Sequence, residues 1–204
     1  PSKLGINTIK IEDLNILKKY IDWTQFFRSW NLHGIYPDIF NNEINGKEAK
    51  QLFQDANIVL DKIINEKLFE ARGVYGLFPA NSINDDDIEV YKNDERIKVL
   101  DKFITLRQQS KKRDGIPNLA LSDFIAPKDI NIKDYIGLFC VSSGFGCDEL
   151  CKIYENNNDD YNSIITKAIA DRLVEAFAEY LHKLIRREYW GYDKNEKSTN
   201  EDLI

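Results

Sequence analysis

The chain has 204 residues, 43% hydrophobic and 30% charged, with a net charge of −6. That length and balance suit one globular domain or two small ones. No apolar run approaches the roughly 20 residues that a bilayer-crossing helix needs. The 28 basic residues are scattered, so the basic footprint of a nucleic-acid binder is missing, and neither a nucleic-acid nor a membrane partner is expected.

Residues 12–20 read as a short helix that leads into Tyr20-Ile21-Asp22-Trp23-Thr24-Gln25-Phe26-Phe27. Five aromatics fall between Tyr20 and Trp30, an apolar payload fit for core or for a ligand wall. Residues 46–69 are predicted helical, because Ala49, Leu52, Phe53, Ala56, Leu60, Ile63 and Ile64 keep the three-and-four spacing of a buried stripe. Gly73 is the expected end cap of that helix. Val74 to Phe78 then reads as a strand halted by Pro79, with a polar turn from Asn81 to Asp87 and a partner strand at Ile88-Glu89-Val90-Tyr91.

Residues 95–109 are ambiguous: Arg96 to Leu100 suits a strand and Lys102 to Gln109 a helix. Residues 134–143 read as a central strand covered on both faces, and 147–155 as a short helix. From Asp159 to Tyr189 the apolar positions fit one long amphipathic helix, Ile165, Ile169, Leu173, Ala176, Phe177 and Leu181 among them. The sum is an α+β fold: helices packed on a largely antiparallel sheet, with a long C-terminal amphipathic helix.

The three cysteines, an odd number without a secretory signal, are expected to be free thiols in a cytoplasmic protein. With only His33 and His182 besides, no metal site is expected. Methionine is absent even at position 1, which points to a processed chain or a piece of a longer polypeptide.

Candidate chemistry rests on acids. Asp171, Glu175, Glu179 and Lys183 recur every four residues, which lays three carboxylates and an ammonium along one stripe of the long helix. Such a stripe is either a solvated face or a row that holds a cation such as an ammonium or sulfonium. Asp22 sits among Tyr20, Trp23, Phe26 and Phe27, either as a helix cap or as a polar anchor in an apolar pocket. There is no Walker-type glycine loop, no serine–histidine–acid set and no covalent nucleophile motif, so no catalytic residue is assigned.

An ordered set of segments carries a resemblance. Tyr20-Ile21-Asp22-Trp23-Thr24, Arg72-Gly73-Val74-Tyr75-Gly76-Leu77-Phe78-Pro79-Ala80-Asn81 and Leu106-Arg107-Gln108-Gln109 are among them. So are Asp123-Phe124-Ile125-Ala126-Pro127, Asp134-Tyr135-Ile136-Gly137, the Asp171 to His182 stretch and Tyr189-Trp190-Gly191-Tyr192. Together they resemble the activation domain of cobalamin-dependent methionine synthase over nearly the whole of residues 1–204.

The resemblance implies a module that binds S-adenosylmethionine and positions its methyl group for reductive remethylation of cob(II)alamin. It implies cobalamin held by the neighbouring cobalamin-binding domain of the same polypeptide, and an electron from flavodoxin or a related flavoprotein reductase. Asp22 and Glu175 match ligand-contacting positions, and Asp171 would face the cobalamin domain. The family's carboxylate-gripping arginine, followed by Gly-Tyr-Pro, lies downstream of Tyr189-Trp190-Gly191-Tyr192 and is not reached by Ile204, so the domain is expected to be truncated on that side. The alternative is a non-catalytic docking domain for a corrinoid protein or a flavodoxin-like reductase.

Overall fold

The structure is a computed structural model that describes residues 1–197. Its strands are β1 (Gly5–Ile11), β2 (Glu70–Ile83), β3 (Asp87–Tyr91), β4 (Val99–Ile104) and β5 (Asp134–Phe145). Its α-helices are α1 (Asn15–Lys18), α2 (Trp23–Ser29), α3 (Gly46–Asn65), α4 (Cys147–Asn156) and α5 (Asp160–Leu184), the last continued by a wider π turn, Ile185–Tyr189. The strands join in the order β1-β2-β3-β4, and β5 also pairs with β2. A strand has only two edges, so two of the three partners share one edge along the 14 residues of β2. The α+β class and the long last helix are as the sequence reads.

The chain forms two units. One is chiefly Thr8–Gly73 with Cys140–Ile185. Here α1, α2, α3 and α4 all pack on α5. Ile165, Leu173, Ala176, Phe177 and Leu181 on α5 and Ala49, Ala56, Leu60 and Ile63 on α3 are sealed from solvent. Phe26 and Phe27 are sealed too, so of the two roles open to the aromatic segment these rings take the core. Each of the larger side chains among them contributes about 1.5–3 kcal/mol.

The end of α3 is not where the apolar spacing places it. Lys67 takes a left-handed backbone, the Leu68 amide donates to Ile63 O and the Lys67 amide to Ile64 O. That is a Schellman stop with lysine where glycine usually stands, which is why the sequence hides it. Gly73 caps nothing. It lies inside β2, where an added methyl would meet Val141, Ile9 and Phe177 at 2.9–3.2 Å. The glycine is there for close packing.

The other unit is Pro1–Asn7, Val74–Phe139 and Arg186–Lys194. β2, β3 and β4 make an antiparallel meander with Ala80 opposite Val90 and Ile88 opposite Phe103. Ala80, Ile88 and Val90 form its core, with Phe78, Phe103, Ile125 and Ile136 against them. Pro79 does not halt β2, because the ladder with β3 begins one residue later and asks no N–H of the proline. Lys102–Gln109 is not a helix: its first residues extend β4, whose pairing with β3 overrides local preference. β5 is not covered on both faces, since Leu138 and Phe139 are 40% and 46% exposed. Beyond β4, Arg107 holds the irregular segment through Asp86, Asp123 and Asn118 O.

Candidate functional site

Two acids of the stripe, Glu175 and Glu179, are grouped with Asp22 in the α-helical unit. Asp22 is the N-cap of α2: its Oδ1 accepts from the Thr24 amide at 2.8 Å and the Gln25 amide at 3.2 Å. Both bonds fall on one oxygen, which leaves Oδ2 to accept from something else. Thus the cap reading of Asp22 holds, and the anchor reading stays available on the same side chain.

Glu179 lies where α5 faces that cap. Burial raises its carboxyl above the ordinary range, and the charges of Asp22 and Glu175 raise it further. The sequence pattern put Glu179 in the stripe but did not distinguish it from its neighbours. One turn further on, the Lys183 ammonium meets Tyr20 Oη at 3.2 Å and lies 5.7 Å from the Tyr20 ring centre, while Tyr20 packs on Tyr180 at 5.5 Å. Trp23, half-buried beside Asp22, stands edge-on to Phe26 and Phe53 at 5.3 and 4.7 Å.

Glu175 belongs to this acidic group through Glu179, but it also has a cation of its own. Arg172, with a side chain only 12% exposed, grips it in a fork at 2.6 and 2.8 Å and reaches Asp171 at 2.9 Å. Arg172 was not singled out by the sequence reading, although its spacing of three from Glu175 on a helix is the signal that would have found it.

Asp171 is displaced from the cap. It is exposed and lines a different cavity, of about 590 Å³, with Trp30, Ser143, Cys147 and Lys167. The stripe therefore serves two places, one beside Asp22 and one beside Cys147. The three cysteines are free, as expected. Cys147 and Cys151 lie 3.9 Å apart at sulfur, and burial, then the neighbouring sulfur, push the Cys147 thiol up to about 12. Among the described residues no three His, Cys, Asp or Glu side chains are grouped as metal ligands, and no helix is long and apolar enough to cross a membrane.

Fold and site together define a class: an α+β domain that gathers carboxylates at a helix cap. The family "vitamin B12 dependent methionine synthase, activation domain" matches residues 13–204. The chain belongs to that family. A solved structure described as the MetH reactivation domain bound to AdoHcy is 49% identical to it with a TM-score of 0.91. The match covers 98% of this chain and 61% of that one, so the chain spans about three-fifths of that chain's length.

Proposed function

We propose that this chain binds S-adenosylmethionine at the Asp22–Glu179 site, as part of the activation module of a cobalamin-dependent methyltransferase, methionine synthase. The observation that carries the reading is the set of three carboxylates, Asp22, Glu175 and Glu179, gathered where Glu179 is half-buried. Carboxylates that raise one another favour a cation that relieves them, which fits a ligand bearing both a sulfonium and an ammonium. AdoHcy bound to the solved relative supports the same ligand class, since it is what remains of S-adenosylmethionine once the methyl group has left. It also favours ligand binding over a purely docking domain.

When bound, the ligand supplies a methyl group on positively charged sulfur for remethylation of cob(II)alamin. The residues here orient and hold. Asp22 accepts a ligand hydrogen bond on Oδ2 while Oδ1 keeps α2 capped. Glu179 and Glu175 face the positive end, with Arg172 as the cation that the ligand must compete with at Glu175. No nucleophile is needed, because placing a reactive group within contact of its acceptor supplies most of what such a step asks of a protein. Turnover belongs to the whole enzyme and not to this piece.

Asp171, on its separate cavity, is the contact for the cobalamin-binding domain of the same polypeptide. A flavodoxin-type reductase is the electron source, in the cytoplasm. The ligand contacts that the resemblance puts past Tyr189-Trp190-Gly191-Tyr192 belong to the same reading.

Calorimetry with S-adenosylmethionine on a chain extended past Ile204 tests the reading. Asp22→Asn keeps the cap, because asparagine caps as well as aspartate, and it should weaken binding by roughly ten- to a hundredfold, as should Glu175→Gln. Arg172→Met should tighten binding a few-fold by freeing Glu175. Wild-type affinity in both acid variants would remove the site.

A further inference from the structure

Another concavity lies within the other unit. Its volume is about 280 Å³, and Asn81, Tyr91, Arg96, Lys128, Asn131 and Lys133 are among its lining residues. Its chemistry is opposite in sign to that of the Asp22–Glu179 site.

Arg96 forms one wall. Its guanidinium donates to Ala80 O at 3.0 Å, to Asn81 Oδ1 and to Asp134 O at 2.7 Å, and it lies 5.6 and 5.4 Å from the ring centres of Tyr91 and Tyr135. All these partners are neutral. The cation is fixed in place, yet no carboxylate among these contacts cancels it. Lys133 forms no ion pair among the described residues. Lys128 is shared with Glu89 at 2.7 Å and retains further ammonium protons.

The opposite wall is backbone. A single turn, Lys128–Ile130, is followed by Asn131 in the left-handed conformation, φ 55° and ψ 25°. A right-handed turn followed by a left-handed residue is the backbone pattern of an anion nest, but here the Asn131 amide is already taken, donating to Lys128 O at 3.3 Å. Asn81 pins this loop by donating to Ala126 O and Ile132 O, each at 2.9 Å, and Ser82 donates to Ile125 O at 2.9 Å. The loop that carries Lys128 and Lys133 is thus held before any ligand arrives, which lowers the cost of binding. One carboxylate, Glu95, also lines the cavity and opposes an anion.

We propose that this concavity binds a phosphate-type oxyanion, either a phosphate monoester or a diphosphate group, with Lys133 and Lys128 as donors and Arg96 as the fixed field. The site is independent of the S-adenosylmethionine reading, because a sulfonium or ammonium would be repelled here.

The experiment titrates the ¹⁵N-labelled 204-residue chain with inorganic phosphate, pyrophosphate and acetate at constant ionic strength. Saturable amide shifts at Ile130–Lys133 are expected, strongest for pyrophosphate and small for acetate. Lys133→Glu and the milder Lys133→Ala should weaken pyrophosphate about tenfold or more, while Glu95→Gln should tighten it. Arg96 is left intact because it also holds β2 to β5. No saturable shift, an equal response to acetate, or unchanged affinity in both Lys133 variants would overturn the assignment.

Discussion

The Glu179 carboxyl on α5 is held protonated to a higher pH than an ordinary glutamate, through burial first and then through the charge of Asp22 at the head of α2 and of Glu175. A group whose folded value lies above its unfolded value contributes stability below the unfolded value. That contribution is lost as pH rises through the folded value. At neutral pH, therefore, ionised Glu179 is a liability that the fold tolerates for its site.

Glu179→Gln should raise the thermal midpoint by about 1–2 °C at pH 7. At pH 4, where the wild-type carboxyl is itself neutral, the gain should vanish. Paired melts at the two pH values decide it. A fall at pH 7 would mean that the ionised group makes a favourable contact larger than its repulsion. By the same sign, affinity for a cationic ligand should increase as pH rises and the carboxyl ionises.

Much of this was legible in the residues and some was not. Asp171, Glu175 and Glu179 announce a shared stripe because helix geometry alone sets a spacing of four. Which of them is buried depends on how α1 and α2 seat on α5, a tertiary fact that spacing cannot carry. Asp22 reads as cap or anchor from sequence, and the structure shows one oxygen committed to capping. The long apolar runs of α3 and α5 gave their helices directly. The errors sit where a local signal was overruled: lysine rather than glycine ends α3, Gly73 serves close packing, and β4 takes residues that by themselves suit a helix.

Arg107 ties Asp86 to Asp123 and thereby anchors the segment beyond β4. The guanidinium beside Asp123, helped by the Ala120 amide, holds that carboxyl down at about 2, and the same bonds push Arg107 upward. The sign is opposite to that of Glu179. The stabilising contribution is present above the ordinary aspartate range and is lost as pH falls through about 2. Asp123→Asn should move the acid-unfolding midpoint, followed by circular dichroism, upward by roughly 0.5 pH units. In 1 M salt the difference should shrink, because both groups are exposed to screening. An unchanged midpoint would show that the Arg107 contacts to Asp86 and Asn118 O suffice alone.

Gly146 opens α4 in a backbone conformation, φ +100°, that side chains rarely adopt, and a Cβ built there overlaps the Leu68 carbonyl oxygen. The carbonyl is backbone, so it cannot swing aside as a flexible side chain would. Gly146→Ala should then combine conformational strain with displacement of the Leu68 peptide, costing about 3 kcal/mol or more. For a chain of this size that lowers the thermal midpoint by roughly 6–10 °C. Gly144, two residues earlier, is the internal control: an added methyl finds only Cys147 Cβ, at 4.0 Å, which is ordinary contact. Gly144→Ala should therefore melt within about 2 °C of wild type, or slightly above it, since alanine restricts the unfolded chain. If the two variants melted together, the difference in their surroundings would not be what makes Gly146 necessary.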